Sequence, residues 1–370
     1  MHVCHTIDNM HPDRGGPVAV VAGLAGAQVA AGDEVTVVCR WQLRSGEARS
    51  AAHALPPGVR LVETGASGAP GVSAALNEIR PDVIHIHGVW EPYHRWCAAW
   101  ARRHGVPWVL SSHGMLHPVP MRKGWLKKRL YLALLGGAVK RARRLLVTST
   151  EEAKFAARLA GVDAAVLANG VDPAEYATID RSAFSASHPE FEGRPYLLFL
   201  GRIHEIKGID GLVRAFALAC GRGLEGDLVL AGPADGADAS VASLASGLGV
   251  STRIHLVGPV YGRSKAEALA GCRLFVHRPR YEGFGMTVVE AMAAGRPALT
   301  TTACGVAREC PQGVLEVVDD SDSAFADAML RLCSPGSRSS TEALAARGRE
   351  WAMRELSWPA IARRAAVLYR

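Results

Sequence analysis

The chain has 370 residues, 49% hydrophobic and 21% charged, with 39 glycines and 20 prolines scattered along it. At roughly 150 residues per domain, that length predicts two domains with full cores and excludes a disordered or collagen-like chain. The net charge of +7 is concentrated: between Glu91 and Glu151 stand twelve Arg and Lys and no Asp or Glu, which leaves −5 (7 − 12) for the remainder. Such a stripe implies an anionic partner, whether a membrane surface, a phosphorylated substrate or nucleic acid.

At the start, His2 to Asp8 reads as a buried strand rather than a signal peptide. The weakly polar run from Pro17 to Gly32 contains Gln28 and falls short of the ~18 apolar residues of a spanning helix. The expectation is a cytoplasmic chain without leader or anchor. Eight cysteines without a C-x-x-C pair fit reduced thiols and argue against structural zinc. Through the first half, strands are predicted at 2–7, 34–39, 82–86, 107–111, 144–148 and 164–167, with helices near 16–31, 92–104, 121–142 and 150–160. After Asn169 the rhythm restarts, with strands at 195–200, 227–231, 253–257, 273–277 and 297–300 and helices near 208–221, 263–271 and 285–294. Two runs of strand–helix units predict two doubly wound, Rossmann-like α/β domains facing a cleft, 1–172 and 173–357, with a terminal helix at 358–370.

In such sheets ligands bind at the carboxyl ends of strands, and the polar singularities of this sequence stand there. GRIHEIKGID after strand 195–200 places Arg202 and Lys207 before a helix start, where two cations and free backbone N–H groups suit a diphosphate; solvated loop cations are the plainer alternative. HRPRYEGFGMTVVEAMAAGRP after strand 273–277 sets Glu282 in a turn with Gly283, Phe284 and Gly285, and Glu290 in the following helix. Carboxylates so placed suit sugar and ribose hydroxyls, although Glu282 also fits a helix-start acid and Glu290 a solvated helical face. In the first half, Gly15, Gly16 and Pro17 form a turn that either approaches a phosphate or is an ordinary loop. His113 ends a strand in SSHGM. His85 reads as a hydrogen-bonded core histidine, with His87 on the same strand face. His113 and His117 have the i, i+4 spacing of a zinc pair, but Gly114 and Pro118 put them on a loop. GRGLEG at 221–226 follows a helix and so is no dinucleotide fingerprint. Asp320-Ser321-Asp322 reads as a helix cap rather than a metal site. The sequence contains neither a P-loop nor a G-x-S-x-G elbow.

Taken together, GGP at 15–17, HIHGVWEP at 85–92, SSHGM at 111–115, NGVD at 169–172, GRIHEIKG at 201–208 and EGFGMTVVEAMAAGRP at 282–297 resemble the retaining, nucleotide-sugar-dependent glycosyltransferases of family 4, which have the two-domain GT-B fold. The resemblance implies that Arg202 and Lys207 hold the diphosphate of a UDP- or GDP-sugar, that Glu282 binds hydroxyls of its sugar and Glu290 its ribose, and that Gly283, Phe284 and Gly285 line the donor. His113 would meet the donor sugar, Gly16 would lie near the diphosphate, and Gly15, His87 and Trp90 would face the acceptor, a glycan or lipid-linked sugar. It implies no cofactor and no metal, and a terminal helix that crosses back to the first domain. The chain departs from the pattern at Ala168, where Pro is common, and at His277, Arg278 and Pro279, where Pro-Ser is common, which is expected to alter the wall beside Glu282. Trp125, Leu126, Leu130, Leu134 and Leu135 alternate with Arg122, Lys123, Lys127, Lys128 and Arg129, so the basic stretch 122–144 suits either an anionic membrane surface or the outer face of a core helix. Competing readings are a glycoside hydrolase using Glu282 and Glu290, a nucleotide-sugar epimerase and a non-catalytic sugar-nucleotide sensor. Nucleic-acid binding ranks last because it explains neither acidic loop.

Overall fold

The computed structural model describes residues 1–11, 16–41, 55–176, 178–191 and 193–370. Gly15 lies outside them. The chain divides into two compact units, Met1–Gly170 with Trp358–Arg370, and Val171–Ser357.

In the first unit the order is β1 (His2–Asn9), α1 (Gly16–Ala30), β2 (Glu34–Trp41), β3 (Arg60–Glu63), α2 (Gly68–Ile79), β4 (Val83–His87), α3 (Pro92–His104), β5 (Trp108–Ser111), α4 (Pro118–Arg122), α5 (Trp125–Leu135), α6 (Gly137–Lys140), β6 (Arg144–Val147), α7 (Thr150–Ala160) and β7 (Ala164–Val166). The second unit holds α8 (Ala183–Ala186), β8 (Tyr196–Leu200), α9 (Ile209–Gly221), β9 (Asp227–Ala231), α10 (Asp238–Gly247), β10 (Ile254–Gly258), α11 (Gly262–Gly271), β11 (Leu274–His277), α12 (Met286–Ala293), β12 (Ala298–Thr301), α13 (Val306–Glu309), β13 (Glu316–Val318), α14 (Asp322–Cys333) and α15 (Arg338–Glu355). The last helix, α16 (Trp358–Tyr369), returns to the first unit and packs on α1. Its Trp358 fills the space that side chains at Gly23 and Gly170 would need.

Both sheets are parallel. Their orders are β3-β2-β1-β4-β5-β6-β7 and β10-β9-β8-β11-β12-β13. Strands such as VIHIH and YLLFL are buried along their whole length, as strands covered by helices on both faces must be. In each sheet the order reverses once, between β1 and β4 and between β8 and β11. A crevice opens outside the carboxyl ends at such a reversal.

The sequence reading missed several elements and joined others. β3, α2, α10, β13 and α15 are additions. The single helix expected over 121–142 is three, broken where Gly124 turns left-handed (φ 70°) and again at Gly136. Of α5, only Leu132 is buried; Trp125, Leu126, Leu130 and Leu134 are 54%, 66%, 57% and 72% exposed. Most apolar side chains of α5 thus stand outside the core, while Leu132 of α5 and Ala138 and Val139 of α6 belong to it.

Candidate functional site

The switch point of the second unit is built from two loops laced together by backbone. Arg280 and Tyr281 donate their N–H groups to Ile206 O, and Gly208, at φ 63°, lies so close to Arg278 O that a Cβ there would collide at 2.1 Å. Glu282 N bonds Ala303 O, Gly305 N bonds Glu282 O and Val306 N bonds Phe284 O, fixing the acidic turn to the loop after β12. Gly285 caps α12 at φ 99°, and its missing Cβ leaves room for Cys304 Sγ. Gly283 is less constrained, and Phe284 is buried.

This frame brings Lys207 and Glu282 together at 2.5 Å, with His277 Nε2 at 3.3 Å from the same carboxylate oxygen. Burial pushes the Glu282 carboxyl up, but the His277 hydrogen bond and the Lys207 ammonium outweigh it and hold the group at about 2. Arg202 is exposed and pairs with Asp235 at 2.8 Å. Among the described residues no side chain caps α9 at Gly208, and Asp210 in its first turn takes the Gly211 N–H. Glu290 is not on a solvated face: it meets Lys265 of α11 at 3.0 Å, with Glu175 at 3.8 Å from the same ammonium, and burial pushes its carboxyl up. Arg278 turns away from Glu282 and joins Asp320 and Asp322, while Ser321 caps α14 through Ala324 N. The aspartates of the D-x-D segment are thus partners of a buried arginine, and the departure at 278 is a strut between α9 and α14.

The first unit carries a different chemistry at the same topological place. His5 and His85 are register partners on β1 and β4, and His85 and His87 stack at 4.0 Å on one face of β4. Gln28 donates from Nε2 to the Tyr369 oxygen (3.0 Å) and so turns Oε1 toward His5 Nε2 (2.6 Å). His5 must donate there and accept at Nδ1 from His87 Nε2 (2.9 Å); His87 in turn accepts at Nδ1 from His113 Nε2 (2.9 Å). His113 is left with a bare Nδ1. On the other branch Tyr369 donates to His85 Nδ1 (2.9 Å) and His85 Nε2 donates to Ser111 Oγ (2.7 Å). Burial holds His5 and His113 at about 4 and His85 and His87 well below their usual value, so all four are neutral near pH 7.

Their placement corrects one expectation. His87, assigned to the acceptor side, is buried with both nitrogens engaged; it orients His113 instead of offering a contact of its own. Nitrogens of His5, His85 and His87 lie within 4.8 Å of one another, near enough for one cation, yet each ring nitrogen already has a hydrogen-bond partner. His113 and His117 are not a pair: His117 caps α4 and lies 3.3 Å from Glu151. His113 adopts φ 50°, a strained value for a non-glycine residue. Its loop is clamped by buried Glu152, which accepts from Ser112 Oγ and Leu116 N on one side and Thr148 N and Oγ1 on the other. Ser149 caps the same helix through Glu152 N, and this S-x-x-E capping box was a readable signal that the sequence reading passed over. Gln28, Tyr369 and Lys265 gave no such signal. Trp90 meets Tyr131 of α5 edge-on at 5.6 Å and carries Lys128 over its ring. Gly16 opens α1 with nothing within 4 Å of its missing Cβ, so the fold itself does not demand glycine there.

Two parallel sheets with polar clusters at their reversal points define a class, the doubly wound α/β proteins that bind ligands at the carboxyl ends of their strands. The comparisons narrow it. Residues 15–170 match the glycosyl transferase 4-like domain and residues 194–334 the glycosyl transferases group 1 domain. A GDP-mannose-dependent alpha-mannosyltransferase of Mycobacterium tuberculosis is 30% identical over 75% of this chain and 71% of its own. A GDP-mannose:cellobiosyl-diphosphopolyprenol alpha-mannosyltransferase of Xanthomonas campestris is 28% identical over 80% and 77%. Among solved structures, sucrose-phosphate synthase from Thermosynechococcus elongatus superposes with a TM-score of 0.79 at 20% identity, covering 100% of this chain and 98% of that one. Anabaena HepE in complex with UDP and glucose gives 0.77 at 18%, covering 99% and 98%. The chain belongs to the family 4 glycosyltransferases of GT-B fold.

Proposed function

We propose that the enzyme is a retaining mannosyltransferase that moves mannose from GDP-mannose to a hydroxyl of a lipid-linked glycan at an anionic membrane surface. The donor follows the names of two relatives, both of which use GDP-mannose. The observation that carries the acceptor is α5, where exposed Trp125, Leu126, Leu130 and Leu134 stand among exposed Arg122, Lys123, Lys127 and Arg129. At ~1 kcal/mol per cation near an anionic leaflet, plus burial of the leucines, this face favours reversible surface docking. Beside it lies a pocket of about 400 Å³ lined by Met121, Trp125, Phe155 and Leu159 with Arg122, Arg129 and Arg158, which suits an apolar chain with an anionic head.

In this reading Arg202 and Lys207 hold the donor diphosphate, and Lys207 exchanges its present partner Glu282 for a phosphate oxygen. Glu282, ionised throughout the physiological range, accepts from sugar hydroxyls, and Glu290 from the ribose. As the C1–O bond breaks, negative charge grows on the departing phosphate, and preorganised cations stabilise it without a metal. The acceptor hydroxyl attacks the same face of the sugar, and its proton passes to the departing phosphate oxygen. His113, fixed by His87, presents an unprotonated Nδ1 as an acceptor toward the sugar.

The test incubates the enzyme with GDP-mannose or UDP-glucose and either a polyprenyl-diphosphate disaccharide or the free disaccharide, reading the product anomer by NMR. An α-mannoside on the lipid-linked acceptor is expected. Transfer only from UDP-glucose would overturn the donor, equal transfer to the free disaccharide the acceptor, and a β-product the retention.

A further inference from the structure

The amino ends of β11 and β12, opposite the switch-point loops, border a cavity of about 810 Å³. Five arginines line it: Arg181, Arg273, Arg296, Arg338 and Arg349, against one carboxylate, Glu342. Glu342 is engaged by Arg338 at 3.0 Å. Among the described residues none of the other four has an acidic partner. Arg273 and Arg296 each donate one N–H to a helix-end carbonyl, Cys333 O and Ala270 O, which holds their guanidiniums at the rim without neutralising them. Arg296 Nε is buried with no hydrogen-bond partner. Burial pulls the Arg296 guanidinium below its usual value; Cys272 opposes this, and the positive charge of Arg181 adds to it. Arg349 runs across Gly295, so its charge lies over the turn that carries Arg296. Nor, among the described residues, does any side chain cap the amino end of α15, where Arg338 stands.

Arg273, Arg296 and Arg349 are half-buried while Arg181 and Arg338 are exposed at the edge of the recess; cations gathered so, short of counter-charge, repel one another in the empty protein, and an anion that enters relieves that repulsion. A phosphate monoester carries about −1.5 to −2 at neutral pH, so roughly two are needed to match an excess of four positive charges. The volume falls within the ~300–1,000 Å³ usual for small-molecule sites, and Leu332 and Ala345 give the recess an apolar wall. We propose that this cavity is a second binding site, for a small organic anion bearing two phosphate groups, distinct from the switch-point site at the other end of the same strands.

The test is isothermal titration of the full chain carrying Arg202→Ala and Lys207→Ala, so that no phosphate reads at the switch point. Fructose 1,6-bisphosphate is the probe, and sulfate controls for simple ion binding. One equivalent of bisphosphate is expected to bind at least tenfold more tightly than sulfate. Arg349→Gln added to that background is expected to weaken it at least tenfold, and Arg338→Gln to weaken it by a smaller factor; both positions are on the outer helix, and an unchanged melting temperature checks that they fold. Absence of a bisphosphate signal, affinity no better than sulfate, or binding untouched by both substitutions would each overturn the proposal.

Discussion

The two switch points occupy equivalent places in two sheets whose strand orders match except for the extra edge strand β7, yet they are furnished with opposite chemistry. In the second unit the side chains at the loops are ions with partners: Lys207 with Glu282, Arg202 with Asp235, Lys265 with Glu290. In the first, four neutral imidazoles are threaded on one chain of hydrogen bonds that runs from His113 through His87, His5, Gln28, Tyr369 and His85 to Ser111. Ion pairs exchange partners readily, so a charged ligand can replace one. A chain of buried neutral rings has a fixed proton order and resists a ligand's charge while holding a single side chain in place. One unit is built to exchange charge; the other is built to position.

The largest effect that would break this contrast falls on the ionic side. In the proposed mechanism Lys207→Ala removes a preorganised cation from the developing phosphate charge, and loss of one such donor typically costs 10²–10³-fold in turnover. The kcat should fall by that factor while thermal stability changes little, because Glu282 keeps His277. A fall in KM alone, or equal activity, would mean that the pair is structural.

Acid should separate the two units. The buried histidines bind protons in the unfolded chain near their ordinary value of 6.5 but in the folded chain only near 4, for His5 and His113. Between those values the unfolded state holds more protons, so their stabilisation is complete above pH 6.5 and is lost as pH falls toward 4; for His5 alone the loss is of the order of 3 kcal/mol. Glu282 titrates in the same sense but in a lower window: its carboxyl is depressed from 4.5 to about 2, so its contribution is complete above pH 4.5 and is lost only below it. Hydrogen exchange at pH 7, 5.5 and 4.5 should therefore show β1, β4 and α16 opening before β8 and β11. Simultaneous opening would remove the distinction.

That contrast was only half visible in the sequence. The ionic loops follow strands directly and contain charged residues in glycine-rich turns, so Arg202, Lys207, Glu282 and Glu290 stood out without a structure. The histidine chain did not, because it joins residues 5, 28, 85, 87, 113 and 369 through strand register and a returning helix, neither of which has a local signature. His85 was legible as a core histidine, and its partners were not. Short edge strands such as β3 and β13 lack the buried apolar run of a central strand, and the polar face of α15 hid a helix whose sequence RSSTEALAARGRE is mostly hydrophilic. Lys265 escaped because one cation on a helix is ordinary until tertiary packing delivers Glu290 to it.

Tyr369→Phe probes the positioning chain directly. It strips His85 Nδ1 and Gln28 Nε2 of their common partner without changing shape, and a buried group left unsatisfied costs about 1–3 kcal/mol. Urea unfolding should shift by that amount, and nitrogen chemical shifts of His113 should report a mixture of tautomers where the wild type shows only Nε2–H. Loss of stability with an unchanged tautomer would place the control of His113 in Glu152 and its loop instead.

The smallest change in stability is expected on α5, and there the silence is informative. Leu130→Ser with Leu134→Ser removes side chains that are mostly exposed, so melting should move by no more than ~0.5 kcal/mol. Sedimentation with phosphatidylglycerol vesicles should nevertheless fall several-fold, and with phosphatidylcholine vesicles both proteins should stay in the supernatant, because the cations need an anionic leaflet to act on. A marked loss of stability would mean that these leucines cover a surface of the fold; unchanged sedimentation would leave the basic face to the substrate alone.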